Sequence, residues 1–224
     1  MSIIIIQARM NSSRLPGKVL MPIKSIPIVV LASKRASNTG RKLLVVTSNE
    51  KTDDVLCSEL EKYKVDYYRG SLDNVLDRFV SAMKDLSDKT IVFRLTADNI
   101  FPDGDLLDKL EKEFINLKLK YLVCNGYESG LPYGVSVEIM RLECLREASK
   151  NTSLTYDLEH VTPYIKRTYG EYYYSYFKDL LLGNYRATID TYNDYIKIAK
   201  VFESFDNPIN VSWKDLSKKL KDID

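Results

Sequence analysis

Apolar residues in this chain arrive in short blocks separated by polar loops and by segments with helical spacing. Ile3-Ile4-Ile5-Ile6 is a β-branched run with no polar face, the pattern of a strand at 2–8 buried on both sides. Similar runs at 43–46, 65–68, 91–95 and 121–124 predict further strands. Helical segments fall between them. One near 27–38 starts after Pro27 and is closed by Gly40. One near 52–63 has Thr52 or Asp53 as cap, one runs from Ser71 or Asp73 to about 86, and one covers 104–118. Strands alternating with helices predict an α/β fold with a mostly parallel central sheet flanked by helices. Right-handed crossovers then bring the strand ends at 7–9, 47–49 and 96–98 to one edge of the sheet.

The alternation breaks near Gly126. A strand at 135–140, helices near 141–150 and 154–167, and a tyrosine-rich run at 172–177 that reads as a strand follow. Arg186-Ala187-Thr188-Ile189-Asp190 restores the pattern as a strand, and Thr191 can cap a helix near 192–204. The expectation is one domain over 1–224, with an α+β insertion at 126–185 that covers the site and serves acceptor binding and dimer contact.

Composition narrows the class. With 33 basic and 31 acidic residues the net charge is +2, which gives no argument for nucleic acid or a membrane surface as partner. Any anion site has to be local. Three cysteines at wide spacing form no zinc pattern and no disulfide framework, so a cytoplasmic location is expected. The opening apolar run is too short for a spanning helix.

The candidate chemistry begins where the first strand ends. Residues 7–18, QARMNSSRLPGK, hold Arg9, Arg14 and Lys18 together with the small residues Ser12, Ser13 and Gly17. Cations and accessible backbone N–H groups at the carboxyl end of a strand suit a polyphosphate, although a solvated basic surface loop has the same composition. The order of residues is not that of a P-loop. Asp98 and Asp190 each close a strand-like run. On one sheet edge the two carboxylates could hold Mg²⁺ against a polyphosphate, or each could cap a helix. Arg69-Gly70-Ser71 is followed by Arg78, which either points back over the site or pairs with a surface carboxylate. Glu159 precedes His160, the single histidine of the chain, which serves as a base or as a structural hydrogen-bonding residue.

These segments together resemble the cytidylyltransferases related to the spore coat polysaccharide biosynthesis protein F, cousins of the CMP-ketodeoxyoctonate and CMP-acylneuraminate synthetases. The resemblance lies in QARMNSSRLPGKVL at 7–20, VVTSNEKTDD at 45–54, YRGSLDNVLDRF at 68–79, VFRLTADNIFPD at 92–103, DLEHVTPYI at 157–165 and RATIDTYNDY at 186–195. It implies a GT-A-like nucleotidyltransferase fold and CMP transfer from CTP to a sugar acid or another small polar acceptor, with pyrophosphate leaving. Arg9, Arg14 and Lys18 match triphosphate-binding positions, with Arg14 and Lys18 also catalytic. Asp98 and Asp190 match the Mg²⁺ carboxylates, and Arg78 matches the arginine after the RGS element. Gln7, Ala8, Ser13, Ser48, Arg69 and Thr96 belong with the nucleotide, and Tyr133, Glu138, Glu159 and His160 with the acceptor. A homodimer is implied as well. Ser136 stands where family members often carry an aspartate, while Glu138 is kept.

Two rival readings remain at this stage. A glycosyltransferase on the same fold would use an Asp-x-Asp pair, and Asp103-Gly104-Asp105 has that form, though its place after Pro102 also suits a helix cap. A non-catalytic nucleotide-binding subunit is the other.

Overall fold

The computed structural model describes residues 1–223. Its centre is a seven-stranded sheet in the order β5-β4-β1-β6-β8-β7-β9. The strands are β1 (Ser2–Gln7), β4 (Leu43–Ser48), β5 (Tyr67–Gly70), β6 (Ile91–Thr96), β7 (Tyr121–Cys124), β8 (Val137–Arg141) and β9 (Tyr172–Tyr173). β1 pairs in parallel with β4 and β6, β4 with β5, and β7 with β9. Only β8 runs the other way, antiparallel to both β6 and β7. Gln7 sits opposite Val46 on one side and Thr96 on the other, so the ends of β1, β4 and β6 share one edge.

Two apolar layers sandwich this sheet, which explains why β1 has no polar face. Ile4 and Ile6 join a core with Leu31 of α1 (Ile28–Ala36), Leu56 of α2 (Asp54–Lys62), Leu110 of α4 (Gly104–Asn116) and Phe202 of α9 (Tyr192–Glu203). Ile3 and Ile5 face the other way, toward Phe79 of α3 (Val75–Ala82), Leu145 of α6 (Leu142–Asn151) and Ile165 of α8 (Pro163–Tyr169). Period-2 geometry splits one isoleucine run between two cores.

Several expectations need correction. The helix expected at 154–167 is two, α7 (Thr155–His160) and α8, broken at Val161, whose φ is 72°. A β-branched residue in that region is strained, at a cost of roughly 1–3 kcal/mol. The tyrosine run yields only the two residues of β9. The strand expected at 186–190 does not join the sheet, because β1 and β8 already occupy both sides of β6. That segment instead crosses the carboxyl edge. Arg186 makes a single bridge to Tyr133, and the Ile189 N–H donates to the Asp98 carbonyl at 3.0 Å. Gly134 permits this crossing: its φ is 101°, and a Cβ there would lie 2.5 Å from the Thr188 nitrogen.

A small hairpin of β2 (Pro22–Ile23) and β3 (Ile26–Pro27) was not expected. Its turn places Lys24 and Ser25 at positive φ, without the Asn-Gly signal that usually marks such turns. The final helix α10 (Trp213–Ile223) was not expected either, although Trp213, Leu216 and Leu220 carry helical spacing and are buried. The short α5 (Gly126–Ser129) follows β7.

Arg35 on α1 ties the C-terminal region to the sheet. It is fully buried and donates to five carbonyls, those of Ile100, Phe101, Pro208, Ile209 and Val211, at 2.7–3.2 Å. Burial pulls its pKa down to about 10 against the field of Asp103, so it remains charged at neutral pH. Arg35→Ala strands these carbonyls and is expected to cost about 3–5 kcal/mol, read as a lower denaturation midpoint in urea.

Candidate active site

The loop leaving β1 folds back on itself over one turn. The Gly17 N–H donates to the Met10 carbonyl at 2.9 Å, and Gly17 itself takes a φ of 72°. This turn buries Lys18, in the short 3₁₀ segment Lys18–Leu20, beneath the loop. A second anchor is Asp53. Its carboxylate accepts from the Met10 N–H (2.8 Å), the Thr47 hydroxyl (2.8 Å), the Ser48 N–H (3.1 Å) and the Ser48 hydroxyl. Burial alone would raise the Asp53 pKa, but the hydrogen bonds together outweigh it and hold the carboxyl below its usual range.

A cleft of about 260 Å³ opens at the shared carboxyl edge. Gln7, Ala8, Arg9, Ser13, Arg14 and Lys18 line it from the loop. Thr96 and Asp98 line it from the end of β6, Asp190 from the crossing segment, and Arg78 from α3. Glu159 and His160 close it from the end of α7, where the turn at Val161 ends the helix. His160 packs its ring on Tyr156 at 4.4 Å between centroids.

The charges in the cleft are unevenly satisfied. Lys18 Nζ donates to Asp98 Oδ2 at 2.7 Å, to the Ile189 carbonyl at 2.8 Å and to Asp190 Oδ1 at 3.1 Å. Arg14 pairs with the same Asp190 oxygen at 2.8 Å, and Arg186 pairs with Oδ2. Arg78 is 2% exposed and donates to the Leu72 carbonyl, while its Nε has no partner. Burial, and then the nearby charge of Arg9, lower the Arg78 pKa. A buried guanidinium with a spare donor beside another cation favours an anion in the cleft. Asp98 and Asp190 converge on one cation, and among the described residues no group of three or more His, Cys, Asp or Glu side chains forms a metal cage.

Two residues expected at the nucleotide lie elsewhere. Ser48 is buried and spent on Asp53. Arg69 turns away from the cleft to the Ser48 carbonyl (3.0 Å), the Glu50 carbonyl (2.9 Å) and Asp54 (2.6 Å), bracing the loop after β4. Both are correctly placed in the chain but point to the neighbouring turn.

A second cavity of about 250 Å³ adjoins the first and shares Thr96. Tyr133, Ser136 and Glu138 line it, with Arg94, Lys166, Asn99 and Asn125. Glu138 is buried and held by Arg94, Tyr121, Thr162 (2.9 Å) and Lys166 (3.5 Å). Burial raises its pKa, yet Arg94, Lys166 and the hydrogen bonds together bring it below the usual range. The Tyr121 phenol is pushed up by burial and by the Glu138 charge. Glu138 therefore organises the cavity wall. Ser136 donates to Asn125 Oδ1 at 2.6 Å. Arg94 and Arg186 were missed in the sequence. Arg94 had a signal, a charge inside the apolar run of β6. Arg186 stacks on Tyr133 at 5.2 Å, a contact that no spacing announces.

A mostly parallel sheet with a basic loop on its first strand and two carboxylates across the same edge defines a nucleotidyltransferase-type fold. The chain matches the family model described as cytidylyltransferase over residues 3–221, and it belongs to that family. It is 32% identical over 222 residues to the spore coat polysaccharide biosynthesis protein SpsF of Bacillus subtilis (strain 168), covering 95% of this chain and 90% of that protein. Among solved structures it is similar to a cytidylyltransferase from Leptospira borgpetersenii serovar Hardjo-bovis, at TM-score 0.88 and 29% identity over 99% of this chain and 94% of that one. The fold is also that of a CMP:2-keto-3-deoxy-manno-octonic acid synthetase solved with CTP, at TM-score 0.66 and 16% identity over 91% and 98% of the two chains. The protein is a CTP-dependent nucleotidyltransferase. Among the described residues no helix is long and apolar enough to cross a membrane.

Asp53 gives the loop a pH signature. Its folded pKa lies below the ordinary 3.8, so its contribution is present above that value and is lost as pH falls through the lower folded one. Asp53→Asn is expected to lower stability at pH 7 by about 1–3 kcal/mol and to flatten the acid limb of the stability curve below about pH 4, measured by urea titrations across pH.

Proposed function

We propose that the enzyme transfers CMP from CTP to a sugar acid or another small polar acceptor (a phosphate or phosphonate included), releasing pyrophosphate in surface polysaccharide or glycan synthesis. The observation that carries this reading is the gathering of Arg9, Arg14, Lys18 and Arg78 around one cleft, with Asp98 and Asp190 beside them. The triphosphate would lie on the loop cations and Arg78, whose unpartnered Nε would gain an acceptor. Gln7, Ala8, Ser13 and Thr96 would bound the nucleoside.

Asp98 and Asp190 would hold Mg²⁺. Two carboxylates that already converge on a cation suit an ion that takes one or two protein carboxylates and fills its shell from phosphates and water. Bound there, it would supply charge neutralisation at the phosphates. The acceptor oxygen forms the new bond to the α-phosphorus as the bond to the bridging β-phosphate oxygen breaks. Lys18 and Arg14 would stabilise the leaving pyrophosphate, while the loop holds the phosphates for in-line attack. The acceptor would occupy the adjoining cavity between Tyr133, Ser136 and the wall that Glu138 organises. An anionic acceptor oxygen needs no base, whereas a hydroxyl would pass its proton to Glu159 or His160.

The reading extends to a cytoplasmic homodimer. The three cysteines are free and buried, which suits a reducing compartment. Exposed Tyr127, Tyr156, Tyr173 and Tyr176 on the 126–185 insertion suit a contact between copies.

Asp98→Asn is expected to lower the rate of pyrophosphate release at least ~100-fold on an accepted substrate. Full activity in that variant would overturn the metal assignment. CTP is expected to raise the melting temperature while UDP- and GDP-sugars leave it unchanged. The reverse pattern would favour the glycosyltransferase. Asp103 speaks against that rival: it caps α4 through the Leu106 N–H at 3.0 Å and accepts from the Trp213 N–H, outside the cleft.

A further inference from the structure

Lys18 has no hydrogen left for a phosphate. Its ammonium carries three N–H donors, and Asp98, the Ile189 carbonyl and Asp190 take one each. Its side chain is only 10% exposed. Lys18 meets Asp98 Oδ2 and Asp190 Oδ1, Arg14 shares the latter oxygen, and Arg186 holds the other oxygen of Asp190. The pair of negative charges is therefore already neutralised from within the protein.

We infer that Lys18 holds the place of the divalent cation in the nucleotide-free enzyme, so that metal enters only together with the triphosphate. The inference rests on the reading of Asp98 and Asp190 as the metal carboxylates. A divalent ion between them would lie within a few ångströms of the Lys18 ammonium, and that repulsion opposes entry of the bare ion. A triphosphate changes the balance, because it offers Lys18 and Arg14 a polyanion a few ångströms away and frees Asp98 Oδ2 and Asp190 Oδ1. Lys18 can make this exchange because its backbone is fixed by the turn at Gly17 while the ammonium rides on a four-carbon stem. Asp190 stays in place through the exchange. Arg186 holds its Oδ2, lies 3.4 Å from Asp194 and stacks on Tyr133, all away from the oxygen that changes partner. Lys18 thus serves two states: a counter-ion before substrate arrives and a phosphate ligand afterwards.

Anomalous diffraction with Mn²⁺ tests this on the wild-type protein. Nucleotide-free crystals soaked in Mn²⁺ are expected to show no peak between Asp98 and Asp190, and crystals grown with CTP and Mn²⁺ are expected to show one, with Lys18 moved to the phosphates. A peak in the nucleotide-free crystals overturns the inference and leaves the metal assignment standing. No peak in either crystal overturns both. In solution, Lys18→Met is expected to bind Mn²⁺ without nucleotide at least ~10-fold more tightly than wild type, followed by the free-ion electron paramagnetic resonance signal. Asp98→Asn added to that variant is expected to abolish the gain. Equal affinities in wild type and Lys18→Met overturn the inference.

Discussion

Two carboxylates lie together at the carboxyl edge of the sheet, and one ammonium group joins them. Lys18 reaches across 80 residues of sequence to Asp98 and 172 to Asp190. Three separate segments meet there: the loop after β1, the end of β6 and the stretch that crosses the edge before α9. Partly buried carboxylates repel one another unless cations lie between them, so this contact sets where each segment can run. The backbone link from Ile189 to the Asp98 carbonyl fixes the same meeting point without charge. The cleft lies where these segments converge over the carboxyl ends of the strands.

A second polar knot lies one strand away and connects the cleft to the adjoining cavity. Arg94 donates to Gln7 at 2.9 Å and pairs with Glu138, which in turn holds Tyr121, Thr162 and Lys166. Gln7 lines the first cavity and Glu138 the second. A buried carboxylate with this many donors is rigid, because losing any of them leaves a charge uncompensated in a low-dielectric setting. The two cavities are thereby held in a fixed relation by side chains of β1, β6 and β8. Such a relation matters for a reaction whose protein contribution is alignment and charge stabilisation.

Much of this was legible along the chain. β-branched runs located the central strands, and period-2 geometry explains how Ile3 through Ile6 serve two cores. Pro27 marked the start of α1, whereas its C-cap is Ser37 and Gly40 lies in the turn beyond. The cluster of Arg9, Arg14 and Lys18 after the first strand located the basic rim of the cleft, and the strand ends located Asp98. Thr191 caps α9 as its position suggested, with a reciprocal capping box to Asp194. Ser48 and Arg69 lie outside the lining of the cleft, because the sequence shows which turn a residue occupies and not which way its side chain turns. In that turn the buried Asp53 needs donors, and it claims Ser48, while Arg69 satisfies the carbonyls just beyond it.

Local pattern therefore determined the elements, their order and the types of group available at the edge, since periodicity, capping and charge act over a few residues. Tertiary structure decided the rest. Residues 186–190 have strand composition, but β6, whose end they meet, already has β1 and β8 beside it, so they cross the edge and deliver Asp190 to Asp98. Helical spacing continued through Val161, yet the chain takes a positive φ there, ends α7 and leaves Glu159 and His160 at the cleft. Arg94, Arg78 and Arg186 acquired their places only when distant carboxylates and carbonyls arrived beside them. Charge pairing over long sequence separation has no period, and only the folded arrangement supplies the partner.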